Sequence, residues 1–266
     1  MLQNRSPKEI QVWNKIRSEA KNVNEKEALV HSVIHTRILI HQTLAEALAQ
    51  TLAIQLADQN LTSLQLQSLF LDVISNDPKI MEGIVNDLEA TVERDAACEH
   101  LLEPFLFFKG FHAVQTHRIA HSLWNQNRRF IASILQSASS RVFGTDIHPA
   151  AVFGCGILLD HATGLVIGET VRIGNDVSIL QGVTLGGTGK QSGDRHPKVG
   201  DGVLLSANCI LLGNIKIGDG AKIGAGAVVL TDVPCHTTYA GVPAVQVGVP
   251  NCNAPALEMN ADFTGK

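Results

Sequence analysis

The sequence predicts an α + β protein in which an all-α N-terminal domain is followed by a parallel β-helix. The first half of the chain has one glycine before residue 110, and its apolar residues recur at helical spacing. The second half is rich in glycine, and a large apolar residue returns there at every sixth position. A period of six matches neither an amphipathic helix nor a half-buried strand. It matches hexapeptides, three of which form one triangular coil of about 18 residues.

The six-residue period runs through two registers. The first consists of Ile147, Phe153, Leu159, Leu165, Val171, Val177 and Val183. The second consists of Val199, Leu205, Leu211, Ile217, Ile223 and Val229. We expect these side chains to point into the prism, with glycine or another small residue at the corners. Successive coils then stack at roughly 4.8 Å and pair their backbone groups.

Length and charge limit the function classes. The 266 residues are 45% hydrophobic, which is enough for a sizeable core in one or two domains. The 21 basic and 25 acidic residues give a net charge of -4, which argues against a nucleic-acid or anionic-membrane surface. The chain has neither a long uninterrupted apolar run nor a signal-peptide core at its N-terminus. We therefore expect a soluble, cytoplasmic protein.

The five cysteines are scattered and none lies in a C-x-x-C spacing. This pattern argues against a disulfide framework and against a structural zinc site. Cys209 follows Leu205 by four residues, at the small inward position of its hexad. We expect it to pack as a small buried hydrophobe.

The helical domain is predicted over residues 1–141. Ser6 and Pro7 suit the cap and first turn of a first helix. The apolar spacing then predicts helices over residues 25–58, 63–75, 78–94 (capped by Asp77), 104–124 and 128–140, with a turn at 95–104. Histidine pairs at i and i+4 occur on these helices, but no third ligand stands at a defined spacing, so we interpret them as helix-face residues.

The β-helix is predicted over residues 142–250, and residues 251–266 read as a flexible tail. Residues 186–198 interrupt the hexads. Val183 and Val199 are 16 positions apart, so about ten residues are extra and must protrude. Loops that protrude from rigid repeats commonly carry function. The glycine run at 186–190 lacks the spacing of a nucleotide P-loop and does not open a helix.

Two histidines are candidates for acid–base chemistry. His161 lies two positions after Leu159, so it projects from the prism surface. Asp146 is nearly one coil earlier, a spacing that would let a carboxylate orient a histidine base. Two unrelated surface groups are the competing interpretation. His196 in the loop is the second candidate, and its neighbour Arg195 could hold a carboxylate.

Several segments together resemble bacterial serine O-acetyltransferases. They are Asp146-Ile147-His148-Pro149-Ala150-Ala151, Leu159-Asp160-His161-Ala162-Thr163-Gly164, Gly186-Gly187-Thr188-Gly189-Lys190, Gly193-Asp194-Arg195-His196-Pro197-Lys198, Arg94-Asp95 and Lys109-Gly110-Phe111-His112-Ala113. The resemblance covers nearly the whole chain up to about Pro250. It implies a left-handed β-helix and transfer of acetyl from acetyl-CoA to the hydroxyl of L-serine, giving O-acetyl-L-serine and CoA in the first step of cysteine biosynthesis from serine.

The resemblance also implies roles for individual residues. His161 would be the general base and Asp146 would orient it. Four residues would bind serine, the acids taking its ammonium and the arginine its carboxylate: Asp95, Asp160, Arg195 and His196. The co-substrate acetyl-CoA would lie along the prism, with room left by three small residues and a phosphate met by a lysine: Gly187, Ala207, Ala225 and Lys222. No metal is implied.

The family resemblance implies trimers that pair into hexamers, with sites between neighbouring chains, and inhibition by L-cysteine in the serine site. Two positions depart from the pattern. Ala96 stands where relatives often carry proline, which bears on the loop that holds Asp95. The chain ends at Lys266, whereas relatives that bind O-acetylserine sulfhydrylase do so through a C-terminal isoleucine.

Three alternatives to this interpretation remain. A hexapeptide acetyltransferase could act on a sugar or xenobiotic hydroxyl. A metal-dependent lyase of the carbonic anhydrase type could use His148, His161 and His196 as ligands. A non-catalytic scaffold is the third, because a fold does not fix a function.

Overall fold

The computed structural model describes residues 5–189 and 192–262. Its N-terminal part is helical. The α-helices are α1 (Pro7–Lys26), α2 (His31–Ile34), α3 (Leu44–Leu56), α4 (Ser63–Asn76), α5 (Pro78–Arg94), α6 (Leu102–Phe107), α7 (Lys109–Asn125) and α8 (Arg129–Phe143). Ser6 caps α1 and Asp77 caps α5, each with a proline in the first turn, as predicted. Helix α6 begins inside the segment predicted as a turn.

The single helix predicted over residues 25–58 is wrong. The chain forms a 3-10 turn at Ala28–Val30, the short α2 and a π-helical turn at His35–Leu39, and α3 then starts afresh. Thr43 and Glu46 form a capping box at that start, each side chain bonding the other's backbone N–H. Apolar spacing continues across the break, so periodicity hides it. The Thr-x-x-Glu pattern is the sequence signal that marks it.

The second part is the predicted parallel β-helix, built from three sheets. Sheet A holds β1 (Thr145–Ile147), β4 (Leu165–Ile167), β7 (Thr184–Gly186), β10 (Ile210–Leu212) and β13 (Val228–Val229). Sheet B holds β2 (Val152–Phe153), β5 (Arg172–Ile173), β8 (Lys198–Val199) and β11 (Lys216–Ile217). Sheet C holds β3 (Leu158–Leu159), β6 (Ser178–Ile179), β9 (Leu204–Leu205), β12 (Lys222–Ile223), β14 (Thr238–Gly241) and the antiparallel β15 (Ala244–Gly248).

The pairing of strands shows that the repeat is longer at two corners. Ile147 pairs with Ile167, 20 positions on, whereas Ile167 pairs with Leu185, 18 positions on. Two residues are therefore inserted between β3 and β4. Leu185 pairs with Leu211, 26 positions on, while Leu211 pairs with Val229, 18 positions on. The loop after β7 thus adds eight residues, where the sequence predicted about ten.

This also corrects the first predicted register. After Leu159 the inward strand residues are Ile167, Ile173, Ile179 and Leu185. The predicted residues lie two positions earlier, and all four are buried: Leu165, Val171, Val177 and Val183. Each hexad has two inward positions and both are filled here, so a period of six does not show which of them stacks on the equivalent residue of the coil before. Cys209 is fully buried, as predicted, and burial raises its pKa to about 12.

The insertions define two edges of the prism. The CA edge is the stack of corners between sheets C and A, at residues 160–164, 180–183, 206–209 and 224–227. The AB edge is the stack between sheets A and B, at residues 148–151, 168–171 and 187–197. Sheet A separates the two edges, so side chains on one edge of a chain do not face those on the other.

Helices α5 and α7 lie against the first coil of the prism. A buried ion pair joins the two helices: Arg118 donates to both carboxylate oxygens of Asp87, at 2.8 and 2.9 Å. Asp87 also accepts from the backbone N–H of Ile157 at 2.8 Å, and Arg118 donates to the Gly154 carbonyl at 2.7 Å. Removing one partner of such a pair costs about 3–5 kcal/mol. The helical domain is therefore fixed to the coil that carries His161.

The described part of the C-terminal segment packs onto the prism and α5. It forms the short helix α9 (Pro255–Glu258), in which Pro255 and Ala256 are buried. The Ser178 hydroxyl donates to the Ala256 carbonyl at 2.7 Å. These residues do not form the free tail that the sequence predicted, while residues 263–266 lie outside the described residues. No helix in the described ranges is long and apolar enough to cross a membrane.

Candidate functional site

The two inserted residues on the CA edge produce an unusual backbone. His161 and Ala162 are non-glycine residues with φ of 57° and 61°, in the left-handed region. Each such residue costs about 1–3 kcal/mol and persists where the surroundings fix it, commonly at functional sites. Ala162 is fully buried and anchors the turn, while the His161 side chain is 72% exposed. The turn therefore holds an imidazole out from the prism, as predicted.

One carboxylate lies beside this imidazole, and a second lies close enough to the first for their charges to interact. His161 Nε2 is 3.5 Å from Asp160 Oδ2. Burial raises the pKa of Asp160, His161 opposes this, and the negative charge of Asp95 raises that pKa further. Asp95 is the C-cap of α5, and its carboxylate accepts the Ala97 N–H at 2.9 Å. The arrangement brings the predicted residues Asp95, Asp160 and His161 together.

The start of α7 holds the CA edge in place. A Cβ at Gly110 would lie 1.8 Å from the Leu159 carbonyl oxygen, so only glycine allows the helix to approach β3 this closely. The neighbouring Lys109 ammonium donates to the Thr163 hydroxyl, two residues after His161. The Lys-Gly pair therefore fixes the helix against the corner that carries the imidazole.

A second cluster lies on the AB edge. Arg195 donates to Glu169 Oε2 at 2.8 Å and to the Gly193 carbonyl at 3.0 Å. The hydrogen bond from Arg195 to Glu169, together with the charges of His148 and Arg195, lowers the pKa of Glu169. Lys198 pairs with Asp194 at 2.6 Å and lowers the pKa of that carboxyl. The inserted loop is thus bonded to the corner one coil earlier through the Arg195 guanidinium and the partly exposed Glu169 carboxylate.

His196 is buried at this edge. Its Nδ1 lies 2.9 Å from the Thr170 hydroxyl and accepts the Thr170 N–H at 3.2 Å. Burial lowers the pKa of His196, and the charges of Arg195 and Lys198 lower it further. A Cβ at Gly168 would lie 2.2 Å from Nε2 of this ring. A second proton on His196 is therefore disfavoured, and only a glycine at position 168, one coil below, can accommodate the ring.

Asp146 lies on β1 of sheet A, next to Val166. Its carboxylate accepts a hydrogen bond from Gln136 Nε2 of α8 at 2.7 Å. The hydrogen bonds and ion pairs of the described residues join it to Gln136 and do not join it to His161. The structure therefore places Asp146 one strand layer from the His161 corner, as the spacing predicted, without a direct contact.

The residues predicted to hold acetyl-CoA lie further along the prism. Ala207 and Ala225 occupy the same position of the CA edge in successive coils, and the Gly226 N–H donates to the Ala207 carbonyl at 2.9 Å. Gly187 lies instead on the AB edge, next to Arg195 and His196. Lys222 is 5% exposed, and its ammonium donates to the Asp262 carbonyl of the C-terminal segment. Two small residues thus stack on this edge, and Gln181 lies on the corner between them and His161.

Two family models match this chain. The model described as "Serine acetyltransferase, N-terminal" matches residues 12–116, and the model described as "Bacterial transferase hexapeptide (six repeats)" matches residues 196–231. A curated serine acetyltransferase of Escherichia coli strain K12 is 48% identical over 254 residues, which are 96% of this chain and 93% of that protein. This chain belongs to the serine acetyltransferase family.

Solved structures agree with this family. Serine acetyltransferase from Vibrio cholerae superposes with a TM-score of 0.95 at 46% identity, covering 97% of this chain and 100% of that one. A serine acetyltransferase described as a complex with cysteine gives 0.94 at 49% identity, covering 96% and 99%. The Brucella abortus enzyme in complex with coenzyme A gives 0.89 at 45% identity, covering 91% and 97%.

The sequence did not indicate Glu169, Thr170 or Gln136 as residues of the site. Glu169 and Thr170 follow Gly168 at the AB corner one coil before the inserted loop. If the coils had been aligned with lengths of 20 and 18 residues, residues 168–171 would have been predicted to lie next to the loop at residues 187–197. His148 and His196 lie close enough for their charges to interact, whereas His161 is on the other edge. Among the described ranges, no group of three or more His, Cys, Asp or Glu side chains could hold a metal ion.

Proposed function

We propose that this serine acetyltransferase transfers the acetyl group of acetyl-CoA to the hydroxyl of L-serine, with His161 as the general base. The observation that carries the proposal is the strained turn that holds an exposed imidazole beside the Asp160 carboxylate, with the charge of Asp95 acting on that carboxylate. An imidazole can accept the hydroxyl proton as the bond to the acyl carbon forms. The two carboxylates supply the charge that attracts an amino acid's ammonium group.

The reaction is a direct transfer. The serine oxygen attacks the thioester carbonyl while His161 accepts its proton, and the C–S bond then breaks to release CoA, which takes up a proton. A thioester is already activated, so no protein nucleophile is required. Asp146 orients the imidazole from the neighbouring strand layer, in the manner of an acid that holds a histidine base. This role requires the Asp146 carboxylate to exchange its Gln136 partner for His161.

The substrate is held by opposite charges at its two ends. Asp160 and Asp95 accept the ammonium of serine, and Arg195 and His196 bind its carboxylate. A guanidinium suits this task because its planar donors match the two oxygens of a carboxylate. The cysteine complex of a relative fits the same charge pattern, because L-cysteine carries the same ammonium and carboxylate. L-cysteine therefore competes for the serine site.

Acetyl-CoA lies along the CA edge over Ala207 and Ala225, with its thioester toward His161, and it reaches Gly187 of a neighbouring chain. Lys222 meets one of its phosphates. The ammonium of Lys222 is covered by the Asp262 carbonyl, so binding displaces this part of the C-terminal segment. The coenzyme A complex of the Brucella abortus relative supports this class of co-substrate.

The complete site requires more than one chain. His161 and His196 lie on different edges, with sheet A between them. A trimer with parallel prism axes brings the CA edge of one chain to the AB edge of the next, so neighbouring chains share each site. Two such trimers pair through their helical domains. A complex with O-acetylserine sulfhydrylase and a cytoplasmic location both stay predictions, and Lys266 lies outside the described residues.

The reaction is tested by following CoA release from acetyl-CoA with a thiol reagent. Release should depend on L-serine and should be absent with no acceptor, L-threonine, a galactoside or chloramphenicol. Release with a sugar or drug acceptor alone would assign the fold to a different acetyltransferase. No release with any acceptor would favour a scaffold.

A further inference from the structure

Thr170, which is not a proposed substrate ligand, makes four hydrogen-bond contacts with Arg195 and His196. Its hydroxyl accepts the backbone N–H groups of Arg195 at 3.1 Å and of His196 at 3.2 Å. The same hydroxyl lies 2.9 Å from His196 Nδ1, and the Thr170 backbone N–H donates to that nitrogen at 3.2 Å. One threonine therefore holds both the backbone and the ring of the inserted loop.

The hydrogen-bond donors and acceptors around the His196 ring determine which of its nitrogens carries the proton. A hydroxyl has one hydrogen and two lone pairs. Both lone pairs of the Thr170 oxygen receive N–H groups, so its hydrogen points either at Nδ1 or at the Asp194 carboxylate, with which the Thr170 side chain also interacts. The backbone N–H of Thr170 points at Nδ1 as well, whichever way the hydroxyl turns. A nitrogen that receives a donor cannot itself carry a proton, so the proton of the neutral ring lies on Nε2.

We propose that Thr170 is a positioning residue that holds His196 as a neutral ring with an Nε2–H donor. In that state His196 cannot accept the serine proton through Nε2. It can donate a hydrogen bond to an anionic oxygen beside Arg195, and we assign this oxygen to the serine carboxylate. The inference rests on the proposed serine site, and it separates the two histidines: His161 is the base and His196 is a donor.

The surroundings support a neutral donor. The charged and titratable groups that face His196 are Arg195 and Lys198 on its own loop, and Glu169 and His148 on the two coils before it. The guanidinium and ammonium oppose a second proton on the ring, while Glu169 is already bonded to Arg195 at 2.8 Å. Gly168 and Gly187 both lie against Nε2, where an added Cβ would be 2.2 and 3.6 Å from this nitrogen, so their lack of a side chain keeps Nε2 from being covered.

The first test is the ring of the intact enzyme. In the full-length protein labelled with ¹⁵N-histidine, the His196 signals are assigned by their loss in His196→Gln. Nδ1 should show the shift of an unprotonated nitrogen at neutral pH, and Nε2 that of a protonated one. A proton on Nδ1 would overturn the proposal, and this result needs no Thr170 variant to fold.

The second test is kinetic. Thr170→Val keeps the shape and removes the hydroxyl, so the KM for L-serine should rise about tenfold with little change in kcat or in the KM for acetyl-CoA. Thr170→Ser keeps the hydroxyl and should stay within about twofold of the parent. Thr231→Val, at an exposed corner between sheets A and B that lies beyond the inserted loop along the prism, is the matched control and should leave the kinetics unchanged.

The outcomes distinguish this proposal from the proposed base. Equal loss in Thr170→Val and Thr170→Ser, or no loss in Thr170→Val with a native circular dichroism spectrum, would contradict the role of Thr170. Full turnover in His161→Ala would instead contradict the base. The ring-nitrogen signals report on His196 in either case, so failure of one proposal is not mistaken for failure of the other.

Discussion

The CA edge and the AB edge belong to one repeat but differ in the way they hold their functional groups. On the CA edge two inserted residues force a strained turn, and an exposed imidazole stands beside the Asp160 carboxylate. On the AB edge eight inserted residues form a longer loop. The buried imidazole of His196 and the guanidinium of Arg195 are held there by hydrogen bonds to the coil below. The regular corner beneath the loop supplies the supporting groups Glu169 and Thr170, while the histidines and the guanidinium stand on the inserted segments. The candidate chemistry therefore lies where the repeat is interrupted.

The largest expected effect separates the two imidazoles. His161→Ala should lower turnover at least about a hundredfold, because it removes the group that accepts the serine proton. The measurement is the rate of serine-dependent CoA release, with the oligomeric state checked by size-exclusion chromatography. Turnover near that of the parent, in an intact oligomer, would refute the assignment of the base to the CA edge.

The next prediction tests whether the edges act across a subunit boundary. Mixed oligomers of His161→Ala and His196→Ala should recover activity that neither variant has alone. In a randomly mixed trimer, a site with both histidines forms about a quarter of the time, so recovery should approach that fraction of the parent's rate. The two variants are unfolded together and refolded as a mixture, and each refolded alone is the control. No recovery would place each complete site within one chain.

A third prediction concerns pH and contrasts the acids of the two edges. The pKa of Asp160 is raised, chiefly by burial, whereas Arg195 lowers the pKa of Glu169. As the pH falls, Asp160 takes up its proton above its ordinary value of 3.8 and loses its attraction for the serine ammonium, while Glu169 stays ionised. The KM for L-serine should therefore rise about tenfold on acidification through that pKa.

The control for this prediction is Asp160→Asn, measured over the same pH range. This variant should have a raised KM that no longer depends on that ionisation. A KM for L-serine that is flat down to the ordinary range of a carboxyl would show that Asp160 does not bind the ammonium.

The smallest effect is expected from Glu169→Gln. The pair with Arg195 is partly exposed, with the Glu169 side chain 41% accessible, so solvent screens it and it contributes little energy. The KM for L-serine should change by about twofold to threefold. A change as large as that of Thr170→Val would show that the carboxylate, and not the threonine, sets the position of the loop.

The sequence alone indicates much of this site, because the side chains that carry the chemistry and the larger of the two interruptions are visible in it. The Arg195-His196 pair stands in a segment that interrupts the hexads, whereas Leu159 and Leu165 keep the six-residue spacing across His161, so the insertion there was not predicted. The register between these segments was predicted less well. Each hexad has two inward positions filled by similar residues, so Leu165 and Ile167 both fit a period of six. Only strand pairing shows that Ile167 is the residue opposite Ile147.

The helical domain shows the same limit. Apolar spacing predicted most of its helices, because a helix that buries one face repeats its apolar residues at three and four positions. The break before α3 depends on a capping box whose effect is local and leaves the spacing unchanged. Helix α9 is set by contacts with α5 and Ser178 that no local pattern contains.

The sequence by itself determined the two domains, the six-residue repeat and most of the candidate side chains, because each is written as a local period or motif. The tertiary structure decided which of these side chains share an edge. It placed Asp95 beside Asp160, put Thr170 under His196 and separated His161 from His196 by a sheet. These relations depend on how many residues each corner adds, because that number determines which residues of successive coils stack on one another.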